Sequence, residues 1–253
     1  MTKSIKKTKP KNNPEDVHAI GIGKRLKKSS SGEISKSEVS SSPPTIKPLA
    51  EPTAYDIFLK TIKRASNLVN VHKDGTKCDE QHYDSFRAAV VLSISALDAY
   101  VRTLVVDKIL GKLSDKDKTL SNELKEYIKN LLNQEALLEA GRKYEFREKV
   151  EKAIRADFET KSFQGEYKIN VYMELAGYKD IFEEVSHSAN INKNRLRGDM
   201  EKFTKRRHVI AHCGDFDLNQ IPHSENTIDK SYPTECIEVV KRFAEHLHKV
   251  TNK

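Results

Sequence analysis

Apolar residues recur along this chain mostly at intervals of three and four, the spacing that gathers them on one face of a helix, and no run alternates strictly enough to demand a strand. Residues 55–69 place Tyr55, Phe58, Leu59, Ile62 and Val69 on one face, and a polar loop over 73–80, with Gly75, ends that helix. The segment 83–110 is apolar nearly all round, which predicts a helix inside a bundle, stopped by Gly111. Leu124, Tyr127, Ile128 and Leu131 mark a third helix over 120–132, and Tyr144, Val150, Ile154 and Phe158 a fourth over 136–158. Residues 171–185, interrupted at Gly177, predict one or two short helices. A further helix over 193–213 carries Leu196, Met200, Phe203 and Ile210 and is ended by Gly214. The last, 234–250, turns Ile237, Val240, Phe243, Ala244 and Leu247 inward. Six of the eight prolines lie within the first 52 residues and the next is Pro222, so nothing between Thr53 and Ile221 forbids helix. The expected fold class is all-α: a bundle of six or seven helices over about 54–250 without substantial sheet.

Charge divides the chain in the same place. Residues 1–46 hold ten Lys and Arg against four Asp and Glu, and most of the whole-chain +8 therefore sits there, leaving a folded part that is not strongly basic. This segment, rich in Lys, Ser and Pro, reads as a disordered basic tail, and 47–253 as the helical domain. Such an arm supplies weak, salt-sensitive attraction or a partner handle more often than specificity. Its clusters at Lys6–Lys11 and Lys24–Lys28 resemble nuclear-import patches, and it lacks the apolar core of a secretory signal. The longest uncharged apolar stretch, 88–97, is ten residues, far short of a membrane span, so no membrane partner is expected. Three scattered cysteines, Cys78, Cys213 and Cys236, form no disulfide framework and suit a reducing, cytoplasmic setting.

The residues that point to chemistry are KRRHVIAHCGD, 205–215. Arginine can hold a phosphate's charge and histidine can move its protons, which is what phosphodiester cleavage without a metal requires. His208 and His212, four apart near a helix end, share one face. Arg207 precedes His212 by five and so points roughly 140° away, at about 100° per residue, and only its long, flexible side chain or fraying of the last turn would bring it to the same phosphate. Other readings stay open. A helix ending in Lys and Arg complements its own dipole. The His208–His212 spacing also suits two zinc ligands, with Cys213, Asp215, His187 or His223 as further candidates, and Cys213 beside a histidine could be a thiol nucleophile. Asp98, in the apolar central helix, either pairs with Arg102 four residues on or orients Arg207 or His212.

The string 207–214 resembles the Arg-polar-x-x-x-His signature of the HEPN superfamily (higher eukaryotes and prokaryotes nucleotide-binding domains), in which the motif falls late in an all-helical bundle with one helix after it. The apolar helix over 86–110 resembles the family's core helix, and its spacing to the motif resembles the RiboL-PSP-HEPN branch, over about 55–250. The resemblance implies a metal-independent endoribonuclease without a cofactor. The RNA's 2′-hydroxyl would attack the adjacent phosphorus, with His212 as general base or acid, Arg207 stabilising charge on the phosphate, His208 positioning, and Arg206 and Asp98 as auxiliaries. It also implies a homodimer that brings two motifs into one cleft, RNA as substrate, a toxin or antiviral defence role, and an antitoxin or regulatory partner. His208 stands where the family often has asparagine or aspartate. The rival readings are a non-catalytic HEPN-like dimerisation or partner-binding module, and a His-x3-His metal-binding helical protein.

Overall fold

The computed structural model describes residues 51–72, 77–115, 119–143 and 145–252. The basic tail at 1–46 and Tyr144 lie outside the described residues. Two helices open the fold. Helix α1, Ala54–Asn70, starts at Thr53, whose hydroxyl accepts from the Asp56 amide while Asp56 reaches back to the Thr53 amide, so two otherwise orphaned donors are satisfied. It buries Phe58, Ile62, Ala65 and Val69 against α2, Glu80–Ser114, which is 35 residues long. Helix α2 is the centre of the bundle, packing also against the fifth, sixth, eighth and ninth helices, with Val90, Ile94, Leu97, Val101, Val105 and Ile109 fully enclosed. Among the described residues it is the one helix long and apolar enough to cross a membrane, yet 67% of its most apolar window is buried within the protein, the pattern of a core helix. Gly111 does not stop it. A single glycine costs about 1 kcal/mol, and the packing of Leu110 and Leu113 on the core outweighs that.

The long helix expected over 136–158 is two. Helix α3, Asn122–Leu131, is followed by α4, Gln134–Arg142, and α5, Phe146–Glu159. Helix α4 buries only Ala140 and packs against α5, and the Glu145 amide donates to the Ala140 carbonyl across the break between them. Apolar positions are too sparse between Ala140 and Val150 to carry one helix through, whereas Val150, Ile154 and Phe158 give α5 a fully buried face. Helix α6, Glu166–Leu175, begins five residues before the expected start, because Gly165 at φ 78° turns the chain into it.

Gly177, at φ 88°, breaks the segment where the sequence said it would, and α7, Ile181–Ala189, follows. A Cβ at Gly177 would also strike the end of the Lys112 side chain. Gly177→Ala is therefore expected to cost roughly 1–2 kcal/mol and to lower the thermal midpoint by about 2–8 °C, measured by calorimetry.

Helix α8, Lys193–Cys213, has the predicted bounds. Asn192 caps its start by accepting from the Arg195 amide, Leu196, Met200 and Phe203 anchor its first half in the core, and Gly214 closes it in the left-handed conformation at φ 60°. After it come the paired two-residue strands β1, Phe216–Asp217, and β2, Ser224–Glu225, joined antiparallel, then α9, Ser231–Thr251. Helix α9 buries Cys236, Val240, Phe243, Ala244 and Leu247 against α2 and α7. Leu49–Lys253 is one unit with one core, all-α apart from this small ribbon among the described residues.

Candidate active site

Helix α8 leaves the core after Phe203, and its last two turns hold only half-buried or exposed residues. Arg207, His208 and His212 all line one open cavity of about 430 Å³ on that emergent half. The helical wheel sets Arg207 well away from His212, but the long arginine side chain brings it to the same space. The two imidazoles lie with ring centroids 4.3 Å apart and tilted by 45°. Both are exposed, whereas Arg207 is half-buried and its Nε, like the Thr204 hydroxyl one turn earlier, is enclosed with no hydrogen-bond partner among the described residues. Buried donors without partners are uncommon.

The facing wall is made by Asp98 and Arg102 of α2, by Glu159 at the end of α5, and by the loop from α5 to α6, including Lys161, Ser162 and Gln164. Arg102 Nη2 donates to Asp98 Oδ2 at 2.6 Å and to the Lys161 carbonyl at 3.1 Å, and the Phe163 amide donates to Asp98 Oδ1 at 2.7 Å. Both oxygens of Asp98 are thus engaged in holding the loop. The ion-pair alternative is the geometry present; no hydrogen bond joins Asp98 to Arg207 or His212 among the described residues.

Arg206, expected beside Arg207 as an auxiliary, faces the opposite side. Its Nη2 donates to Asp215 Oδ2 at 2.7 Å and to the carbonyls of Asn226 and Thr227 at 3.3 and 3.0 Å, and its guanidinium lies 5.5 Å from the Tyr232 ring centre. Asp215, fully buried and in the left-handed region at φ 68°, also accepts from Arg87 Nε at 2.9 Å. Its backbone amide donates to the Val209 carbonyl and its carbonyl accepts from the amide of Asn226. The end of α8 and the ribbon after it are fastened together at this one buried carboxylate.

Of the other candidate ligands, Asp215 is consumed by its two arginines and His187 pairs with Glu183 on α7 at 2.6 Å. His223 lies in the ribbon turn, its Nδ1 2.8 Å from the Gln220 carbonyl. Cys213 does not line the cavity. Among the described residues no three His, Cys, Asp or Glu side chains converge as a metal-binding group.

The family model of RiboL-PSP-HEPN matches residues 56–251. This chain belongs to the RiboL-PSP-HEPN family. No curated protein and no solved structure matches it. HEPN domains are helical and generally RNase-like, and the match spans the whole bundle from α1 to α9, with 207–214 and the cavity inside it. Three contributors to the HEPN cavity were missed in the sequence: Arg102 in its wall-building role, Thr204, and the loop with Lys161. The Asp98–Arg102 spacing signalled a pair but not what the pair would hold, and nothing in a short polar loop announces which helix it will lie against.

Proposed function

We propose that this HEPN domain is a metal-independent endoribonuclease that cleaves RNA by attack of the 2′-hydroxyl on the adjacent phosphorus. The observation that carries the reading is the convergence of Arg207, His208 and His212 on one open cavity. Arg207 fits the non-bridging phosphate oxygens, where charge grows in the transition state. His212 takes the proton from the 2′-hydroxyl or gives one to the leaving oxygen, and His208, against its ring, orients it or the substrate.

In-line displacement puts the attacking and leaving oxygens on opposite sides of the phosphorus. Two imidazoles 4.3 Å apart on one helical face are too close to flank it. The second proton carrier is then a histidine of a second copy, and the active form is a homodimer with two motifs facing one groove.

The test is purified protein with end-labelled RNA, with and without EDTA. Cleavage should persist in the chelator, leave 2′,3′-cyclic phosphate ends, and spare both DNA and 2′-O-methylated RNA. Activity that dies with EDTA would transfer the reading to a metal held at His208 and His212. Light scattering at micromolar concentration should report a dimer; a monomer cleaving at full rate would remove the composite site.

A further inference from the structure

The loop opposite the motif is built more firmly than a connecting segment needs to be. Phe163 at its centre is fully buried, with ring centroids 4.8 Å from Phe158 and 4.3 Å from Tyr172, and its amide is held by Asp98. On one side of it Arg102 holds the Lys161 carbonyl, and on the other Gly165 turns the chain straight into α6. The backbone of residues 160–164 is therefore pinned across α2, while Lys161 and Ser162 are exposed and border the same cavity as Arg207.

Three cations from three elements border this one cavity: Arg207 on α8, Arg102 on α2 and Lys161 on the loop. Arg102 is committed to Asp98 and to the loop carbonyl. Lys161 is not so committed. Among the described residues its ammonium has only a loose contact with Asp157 at 3.6 Å in a partly exposed pair, an interaction that solvent and salt leave weak. A single scissile phosphate is served by Arg207. A second cation, on a backbone anchored at the far wall and with its ammonium free to turn, suits the next phosphate of the same strand.

We infer that Lys161 holds the phosphate flanking the scissile one, and that Asp98 and Arg102 are the positioning residues that fix it there. This rests on the endoribonuclease reading and gives it a substrate class: a single strand long enough to present two successive phosphates across the cavity. Binding energy gained at a neighbouring phosphate is a way for an RNase to orient the reacting one.

The experiment compares three uncleavable 2′-O-methylated probes on the full chain: NpN, pNpN and NpNp, where only the last two carry a second phosphate, on opposite sides. One of the two should bind wild type about threefold to fivefold more tightly than NpN, as one exposed ammonium–phosphate contact supplies. In Lys161→Ala that advantage should shrink below twofold, and Lys161→Arg should restore it. Asp98→Asn should reduce it while retaining Lys161, which a purely structural role for Asp98 would not do at constant NpN affinity. The inference is overturned if neither added phosphate tightens binding, or if the advantage survives Lys161→Ala. Cleavage of unmodified RNA is scored separately. An inert wild type that keeps the phosphate advantage would overturn the nuclease reading alone, and an active one without the advantage would overturn the Lys161 assignment alone.

Discussion

Arg207→Ala and His212→Ala should each reduce RNA cleavage by about 10²–10⁴-fold, the range a positioned proton carrier or charge stabiliser commands. Neither change should unfold the domain. His212 is exposed, and Arg207 is half-buried with no ion pair among the described residues, its Nε lacking any partner. Core packing in α8 rests instead on Leu196, Met200 and Phe203. Circular dichroism and the thermal midpoint should therefore stay near wild type while initial rates collapse. His208→Ala should be milder, since a neighbour that orients a ring contributes less than the ring that moves the proton. Full activity in His212→Ala would sink the assignment, and equal loss in all three with a lowered midpoint would mean that the motif is packing rather than chemistry.

The largest effect on stability should come from Asp215→Asn. This carboxylate is completely buried between Arg87 and Arg206, whose side chains are 10% and 19% exposed, and breaking such an arrangement by removing one partner costs about 3–5 kcal/mol. Asparagine tolerates the left-handed backbone that Asp215 occupies, so the substitution isolates the lost charge from strain. A fall of about 6–20 °C in the thermal midpoint is expected. Proteolysis at low protease concentration should find the first new cleavages in residues 209–226, where α8 and the ribbon are joined through this side chain. A midpoint within 2 °C of wild type would show that the two arginines find water as readily as Asp215.

Much of this could be read from the sequence because it depends on local periodicity. The bounds of α8 follow from the 193–213 pattern and Gly214, and the burial of α2 from an apolar run with no polar face. What escaped depends on distance along the chain. Arg87 meets Asp215 across 128 positions, so no window reveals that Arg206 is needed on that side and Arg207 is left for the cavity. The turn between α4 and α5 escaped for the opposite reason: both halves favour helix, and the break shows only as a thinning of apolar positions between Ala140 and Val150. Phe163 could be expected in the core, but not the hydrogen bond from its amide to Asp98 65 residues away.

Helix α2 carries the fasteners of both sides: Arg87 holds the end of the motif helix, and Asp98 with Arg102 holds the opposite loop, about 22 Å apart from first to last at 1.5 Å per residue. A jaw whose two halves are bolted to the same beam has a gap set at the time of folding. Opening or narrowing it would require α2 to bend inside a packed core; on the proposed endoribonuclease reading, a strand would have to arrive already unstacked enough to enter, and duplexed stretches would be passed over in favour of loops and ends.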